Sequence, residues 1–169
     1  FVEWSMCNKL VQDINYPTNM LYAMFKKVVG ELYGDEALCR EYLEMKETIR
    51  RESRMGLFFC DNAVYGEDGV ARLSGERTEA CQYYAFFTGI ATAEEDKELW
   101  DTMIADFGPE RRVTGKWQEI HPSNLIVGDY MRCELLREAG LDEKLDSDVR
   151  GYFDEMAIKT GTLWEHNKD

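Results

Sequence analysis

Three pairs of helical segments follow one another along the chain, and the two members of each pair differ in kind. The first members, 19–33, 79–92 and 123–139, are apolar nearly all round and carry small residues: Ala23 and Gly30, Ala85 and Gly89, Gly128. A helix without a polar face must be covered on all sides. The second members, 35–54, 94–107 and 142–158, confine their apolar residues to one stripe, as with Leu38, Tyr42, Met45 and Ile49, or Leu145, Val149, Tyr152, Phe153 and Met156. Such a helix covers a neighbour and turns its charges to water. The punctuation agrees: Pro17-Thr18 and Pro122-Ser123 precede first members, Thr78 stands at an N-cap, and Gly34 and Gly140 close helices. No strand-like alternation exceeds 70–73. The expectation is an all-α chain of three consecutive helical hairpins, apolar helices inside a curved double layer and amphipathic ones outside. A compact six-helix bundle is the alternative.

The connections are uneven. Turns inside the hairpins are minimal, at Gly34, Ala93 and Gly140, whereas 1–17, 56–77, 108–121 and the stretch from 160 onward are long. All four long segments then lie at one end of the array, beside the positive ends of the inner helices. Long loops on a rigid scaffold are where function is placed. These carry Glu3, Trp4, Asn8, Asp61, Asn62, Tyr65, Trp117, Glu119, His121, Trp164, Glu165 and His166, with Glu79 in the first turn that one of them feeds.

Composition narrows the partners. Twenty Lys plus Arg against 33 Asp plus Glu leave a net charge of −13, which repels nucleic acid and anionic membranes. Arg50-Arg51 with Arg54, and Arg111-Arg112, are too few and too interleaved with Glu to make a basic stripe. The most apolar stretch, 81–93, still contains Gln82, two Tyr, Thr88 and Gly89, so no membrane span is expected. A 169-residue chain that is 44% hydrophobic suffices for one core and one domain. Five cysteines, odd in number and without a C-x-x-C pair, read as free thiols of a reducing compartment, which leans towards the cytoplasm. Two histidines make a metal site unexpected, no cofactor is implied, and Gly66-Glu67-Asp68-Gly69 reads as a turn rather than a cation loop. The chain starts at Phe1 rather than Met, and the expectation is that sequence preceding it was removed by processing or design.

Carboxylates beside Trp and Tyr, with amides and histidine around them, suit a carbohydrate: aromatic faces pack on sugar C–H groups, amides bind hydroxyls, and two carboxyl groups serve as acid and base. The signatures of nucleotide, serine-hydrolase, zinc-protease and calcium sites are missing. Each residue also has a plain structural role open to it: Trp4, Trp117 and Trp164 as core, His121 as a helix-start residue held by backbone, Glu79 as a first-turn charge.

Thr162-Leu163-Trp164-Glu165-His166 resembles the T-x-W-E segment of six-hairpin, or (α/α)6 toroid, glycosidases, in particular bacterial α-L-rhamnosidases. Phe1-Val2-Glu3-Trp4 is similar to their D/E-W loop, and Thr78-Glu79-Ala80-Cys81-Gln82 to their T/S-x-x-x-Q start of an inner helix. Ile120-His121-Pro122-Ser123-Asn124 stands where they have the loop before the next inner helix, although it departs from the Gly/Thr-rich rhamnosidase form. The resemblance implies the C-terminal half of a toroid catalytic domain that hydrolyses glycosidic bonds with inversion. It puts the general base on Glu165 and substrate contacts on Trp4, Glu79, Gln82, His121, Trp164 and His166. The general acid would come from a loop upstream of Phe1, so this chain alone is not expected to turn over glycosides. An open-ended stack exposes apolar edges, which implies self-association or association with the upstream half. The alternative class is an α-hairpin module for protein binding or assembly, without catalysis.

Overall fold

Helix α1 (Met6–Lys9) and strand β1 (Ile14–Asn15) lead into a long hairpin of α2 (Tyr16–Tyr33) and α3 (Glu36–Ser53). Four short strands follow, β2 (Arg54–Met55), β3 (Phe58–Phe59), β4 (Asn62–Tyr65) and β5 (Ala71–Leu73). The remainder is helical: α4 (Glu79–Phe87), α5 (Lys97–Asp106), α6 (Arg111–Thr114), α7 (Val127–Glu138) and α8 (Asp142–Thr160). The computed structural model describes residues 5–124 and 126–164, the Arg112 side chain excepted. None of the five cysteines is in a disulfide.

Local chemistry accounts for most helix ends. The Asn15 side chain accepts from Thr18 N at 3.0 Å, so α2 starts at Tyr16, three residues before 19, and Pro17 falls in a first turn that needs no amide hydrogen. Asp35 Oδ1 caps α3 through the amides of Ala37 and Leu38. Thr78 Oγ1 caps α4 through Cys81 N at 3.0 Å. Helix α4 ends at Phe87, well short of 92, because Thr88 Oγ1 donates back to Tyr84 O at 2.6 Å and Gly89 turns left-handed at φ 74°. Helix α7 begins at Val127 rather than 123, since the Ser123 amide is taken by a side chain of α4.

The chain is mostly helical, but the all-α expectation is corrected by two small sheets. Strands β1, β4 and β5 form an antiparallel sheet in that order, with Ile14 opposite Ala63 and Ala63 opposite Leu73. Strands β2 and β3 make a hairpin in which Arg54 faces Phe59 and Met55 faces Phe58. Strands of two to four residues are too short for a period of two to register in the sequence, and β1 finds β4 only after the α2–α3 hairpin has intervened.

Helix α4 packs against both α2 and α7; α3 lies along α2, and α8 along α7. Residues 79–86 of α4 are all buried, as a helix at the centre requires. Helix α5 adds Leu99 and Met103 to the core and sets Trp100 edge-on to Phe86. Helix α2 does not follow the expectation that first members are covered all round. Met20, Ala23 and Gly30 are buried, while Leu21, Tyr22, Phe25, Val28 and Leu32 are exposed along one stripe. Its neighbours α3 and α4 cover only one side of it.

Gly89 offers a direct test of the α4 terminus. A Cβ there would sit 3.0 Å from Tyr42 Oη, whose hydroxyl donates to Gly89 O at 3.1 Å, and the backbone would be left-handed. Gly89→Ala is expected to lower the unfolding free energy by about 1–2 kcal/mol in urea titration; an unchanged midpoint would contradict it.

Candidate functional site

The candidate site forms where the lead-in to α4 meets the lead-in to α7. Thr78 and His121 pair as a parallel bridge: Glu79 N donates to His121 O at 2.9 Å and His121 N to Arg77 O at 2.9 Å. Two segments more than forty residues apart are thereby held side by side, and the first turn of α4 faces residues 121–123.

Glu79, one of the residues singled out, is only 2% exposed. Its Oε1 pairs with Arg111 Nη1 at 2.7 Å, and its Oε2 accepts from Ser123 N at 2.9 Å and from the Tyr83 hydroxyl at 3.4 Å. Arg111 is buried too and donates from Nε to Lys116 O at 3.0 Å and from Nη2 to Trp117 O and Ile120 O. The pair pins the 111–123 loop to α4. Both ions lose water, and the pairing with surrounding carbonyls and amides is what makes the burial tolerable. Gln82 is fully buried, with Oε1 accepting from Phe59 N at 2.9 Å and Nε2 donating to Phe59 O at 2.9 Å and to Thr78 O at 3.0 Å. Its amide closes the edge of β3 onto α4, and neither end is open to a sugar hydroxyl.

His121 differs. It is half-exposed, and its Nε2 lies 2.9 Å from Glu76 Oε2, itself accessible. Solvent reaches both this imidazole and this carboxylate. Beneath them lies Asp61, which is fully buried. Its Oδ2 accepts from Thr78 N at 2.7 Å and its Oδ1 from Thr78 Oγ1 at 2.9 Å and Cys7 Sγ at 3.2 Å. Burial outweighs these hydrogen bonds and the nearby His121, and pushes the Asp61 carboxyl up to about 7. Burial, with Glu79 beside it, likewise holds the Tyr83 phenol well above its ordinary range.

Trp164 folds back on the end of α8: its Nε1 donates to Thr160 Oγ1 at 2.7 Å, and Lys159 Nζ lies 5.8 Å from the ring centre. Because α8 returns along α7 after the turn at Gly140, Trp164 comes back towards the end where α7 starts. Trp4, Glu165 and His166 lie outside the described residues. Trp117 is half-buried against the core, edge-on to Phe58 at 5.1 Å, its Nε1 donating to Asp106 Oδ2 at 3.0 Å. Sequence reasoning passed over Arg111 and Glu76 as site residues, and placed Asp61 on a function-side loop without its role. Their partners are 32, 45 and 17 residues away, and no spacing marks them.

No group of His, Cys, Asp and Glu among the described residues could hold a metal ion, and no helix among them is long and apolar enough to cross a membrane. Comparison with known protein families, with curated proteins and with solved structures finds no match to this chain.

The raised Asp61 carboxyl has a stability consequence. Below about pH 4 it is protonated in the folded and unfolded chain alike. Between about 4 and 7 the folded chain keeps a proton that the unfolded one releases, so stability falls as pH rises through that window, by about 4 kcal/mol in all. Asp61→Asn removes this dependence. Urea unfolding of both proteins across the window is expected to show wild type losing stability relative to the variant as pH rises; a constant difference would mean that Asp61 titrates as an ordinary aspartate.

Proposed function

We propose that this chain belongs to a glycoside hydrolase-like domain of the six-hairpin toroid kind, acting on a neutral saccharide such as an α-L-rhamnoside with inversion. The observation that carries this reading is the Thr78–His121 bridge, which sets the lead-ins to α4 and α7 side by side with the accessible His121 and Glu76 at that end. The placing of α4 between α2 and α7, with α3 and α8 outside, supports a partial toroid. The acidic surface favours a neutral ligand over an anionic one.

In this reading His121 and Glu76 bind hydroxyls, and Trp164, with Trp4 and His166, packs on the ring and its edge. Glu165 removes a proton from the attacking water, while a second carboxyl group, protonated, delivers its proton to the leaving oxygen from the opposite face. Inversion needs the two held roughly 6.5–9.5 Å apart. Glu79 and Gln82 act as positioning residues, through the loop and strand they hold.

The test is a titration of the full chain with L-rhamnose and other neutral monosaccharides, followed by tryptophan fluorescence, beside an assay on an aryl α-L-rhamnoside. A saturable change weakened about tenfold by Trp164→Ala or His121→Ala is expected, with any turnover lost in Glu165→Gln. No binding across the panel, or turnover that survives Glu165→Gln, overturns the reading.

A second reading, an assembly module, draws on the exposed stripe of Leu21, Phe25, Val28 and Leu32 on α2. Under it, sedimentation velocity shows concentration-dependent self-association that Phe25→Glu abolishes without lowering the melting temperature. A monomer at every concentration would reject it.

A further inference from the structure

A cavity of about 730 Å³ opens between α2, α3 and the β1–β4–β5 sheet, and none of its lining residues belongs to the saccharide site proposed above. Its volume is that of small-molecule sites. The floor is apolar and drawn from four elements: Ile14 from β1, Ala63 from β4, Ala71 and Leu73 from β5, Met45 and Ile49 from α3. Ile14, Met45, Ala71 and Leu73 are only half-buried, so the floor is a wettable apolar surface set below the level of its rim.

The rim is polar and unequal in charge. Helix α3 presents Glu41, Glu44, Thr48 and Glu52 at spacings of three, four and four, one face of a helix, and α2 faces them with Asn19 and Lys26. Lys26 is bonded to Glu41, so those two charges cancel. Glu52 accepts from Arg51 Nε at 2.8 Å at the exposed edge. Glu44 makes no ion pair among the described residues. Tyr16 closes the deep end, its hydroxyl donating to Glu52 O at 3.1 Å; burial and then Glu52 push that phenol up to about 12, so it stays neutral. One uncompensated carboxylate thus stands over an apolar floor, in a chain whose net charge of −13 repels anions.

We propose that this cavity binds a small organic cation, a primary amine carried on an apolar body, with the body on the Ile14, Met45 and Leu73 floor and the ammonium at Glu44. An apolar acid of the same shape would place its carboxylate against Glu44 and be rejected. A neutral isostere would gain the floor and lose the ion pair.

The probes are 2-phenylethylamine, 2-phenylethanol and 3-phenylpropionate, titrated separately into the full chain at millimolar concentration and followed by amide chemical shifts. The expected result is saturable binding of the amine, with shifts at residues 14, 45, 49, 63 and 73. The alcohol should bind about three- to fivefold more weakly, as the loss of one rim ion pair implies, and the carboxylate should not bind measurably. Glu44→Gln should bring the amine down to the level of the alcohol and leave the alcohol unchanged. Thr48→Trp, at an exposed position over the mouth, should block both while the rest of the spectrum is preserved. Equal binding of amine and carboxylate, an amine affinity indifferent to Glu44→Gln, shifts elsewhere on the protein, or no binding by any probe would each overturn the proposal.

Discussion

Asp61 has every polar atom in use, and the segments it joins are otherwise unconnected in sequence. Its main-chain N–H donates to Glu76 O at 2.9 Å, its carbonyl accepts from Tyr16 N at 2.8 Å, and its carboxylate takes both donors of Thr78 and the thiol of Cys7. One residue, through its main chain and its side chain together, therefore fixes α1, the start of α2, the lead-in to α4 and the α4 cap relative to one another. A buried carboxylate costs several kcal/mol in lost hydration. Here it stands at the positive end of α4 and receives three hydrogen bonds, and its carboxyl still titrates near neutrality, so desolvation wins. The junction is a hydrogen-bonded seat more than an ionic one.

Charged pairs repeat the pattern elsewhere at helix ends. Glu79 with Arg111 fastens the loop that feeds α7. Arg132 reaches from α7 to Asp148 on α8 at 2.6 Å and to the carbonyl of Met103 on α5 at 2.7 Å. Asp96, ahead of α5, is gripped by Arg50 and Arg54 from the far end of α3 and its adjoining strand. Four arginines are thus taken up by three buried carboxylates, Glu79, Asp96 and Asp148, so these charges largely cancel and the exposed surface stays acidic. Both proposed ligands, a neutral saccharide and an organic cation, follow from that field.

The two proposed sites differ in how they were made. At the bridge end, Glu79 and Gln82, which could have bound a ligand, are buried and engaged with the fold, whereas His121 and Glu76 remain accessible. At the α2–α3 cavity the fold leaves an apolar floor uncovered, because α2 and α3 pack tightly on each other while the small sheet is too short to close beneath them. A three-stranded sheet with strands of two to four residues covers only part of an eighteen-residue helix pair.

What the sequence determined by itself was whatever depends on neighbours within a turn or two. The spans of α3 and α8, the cap at Thr78, the αL glycines at 34 and 140, and the buried character of α4 could be read locally, because period, cap chemistry and conformational freedom act over about four residues. The tertiary structure decided the rest. The strands exist only through pairing across intervening helices, and α2 keeps one apolar face in water because its neighbours cover a single side. Gln82 and Glu79 were legible as polar residues at the start of an inner helix, yet whether they meet a ligand or a backbone was set by Phe59, Arg111 and Ser123. No local pattern encodes partners that distant, since they meet only after the chain has closed on itself.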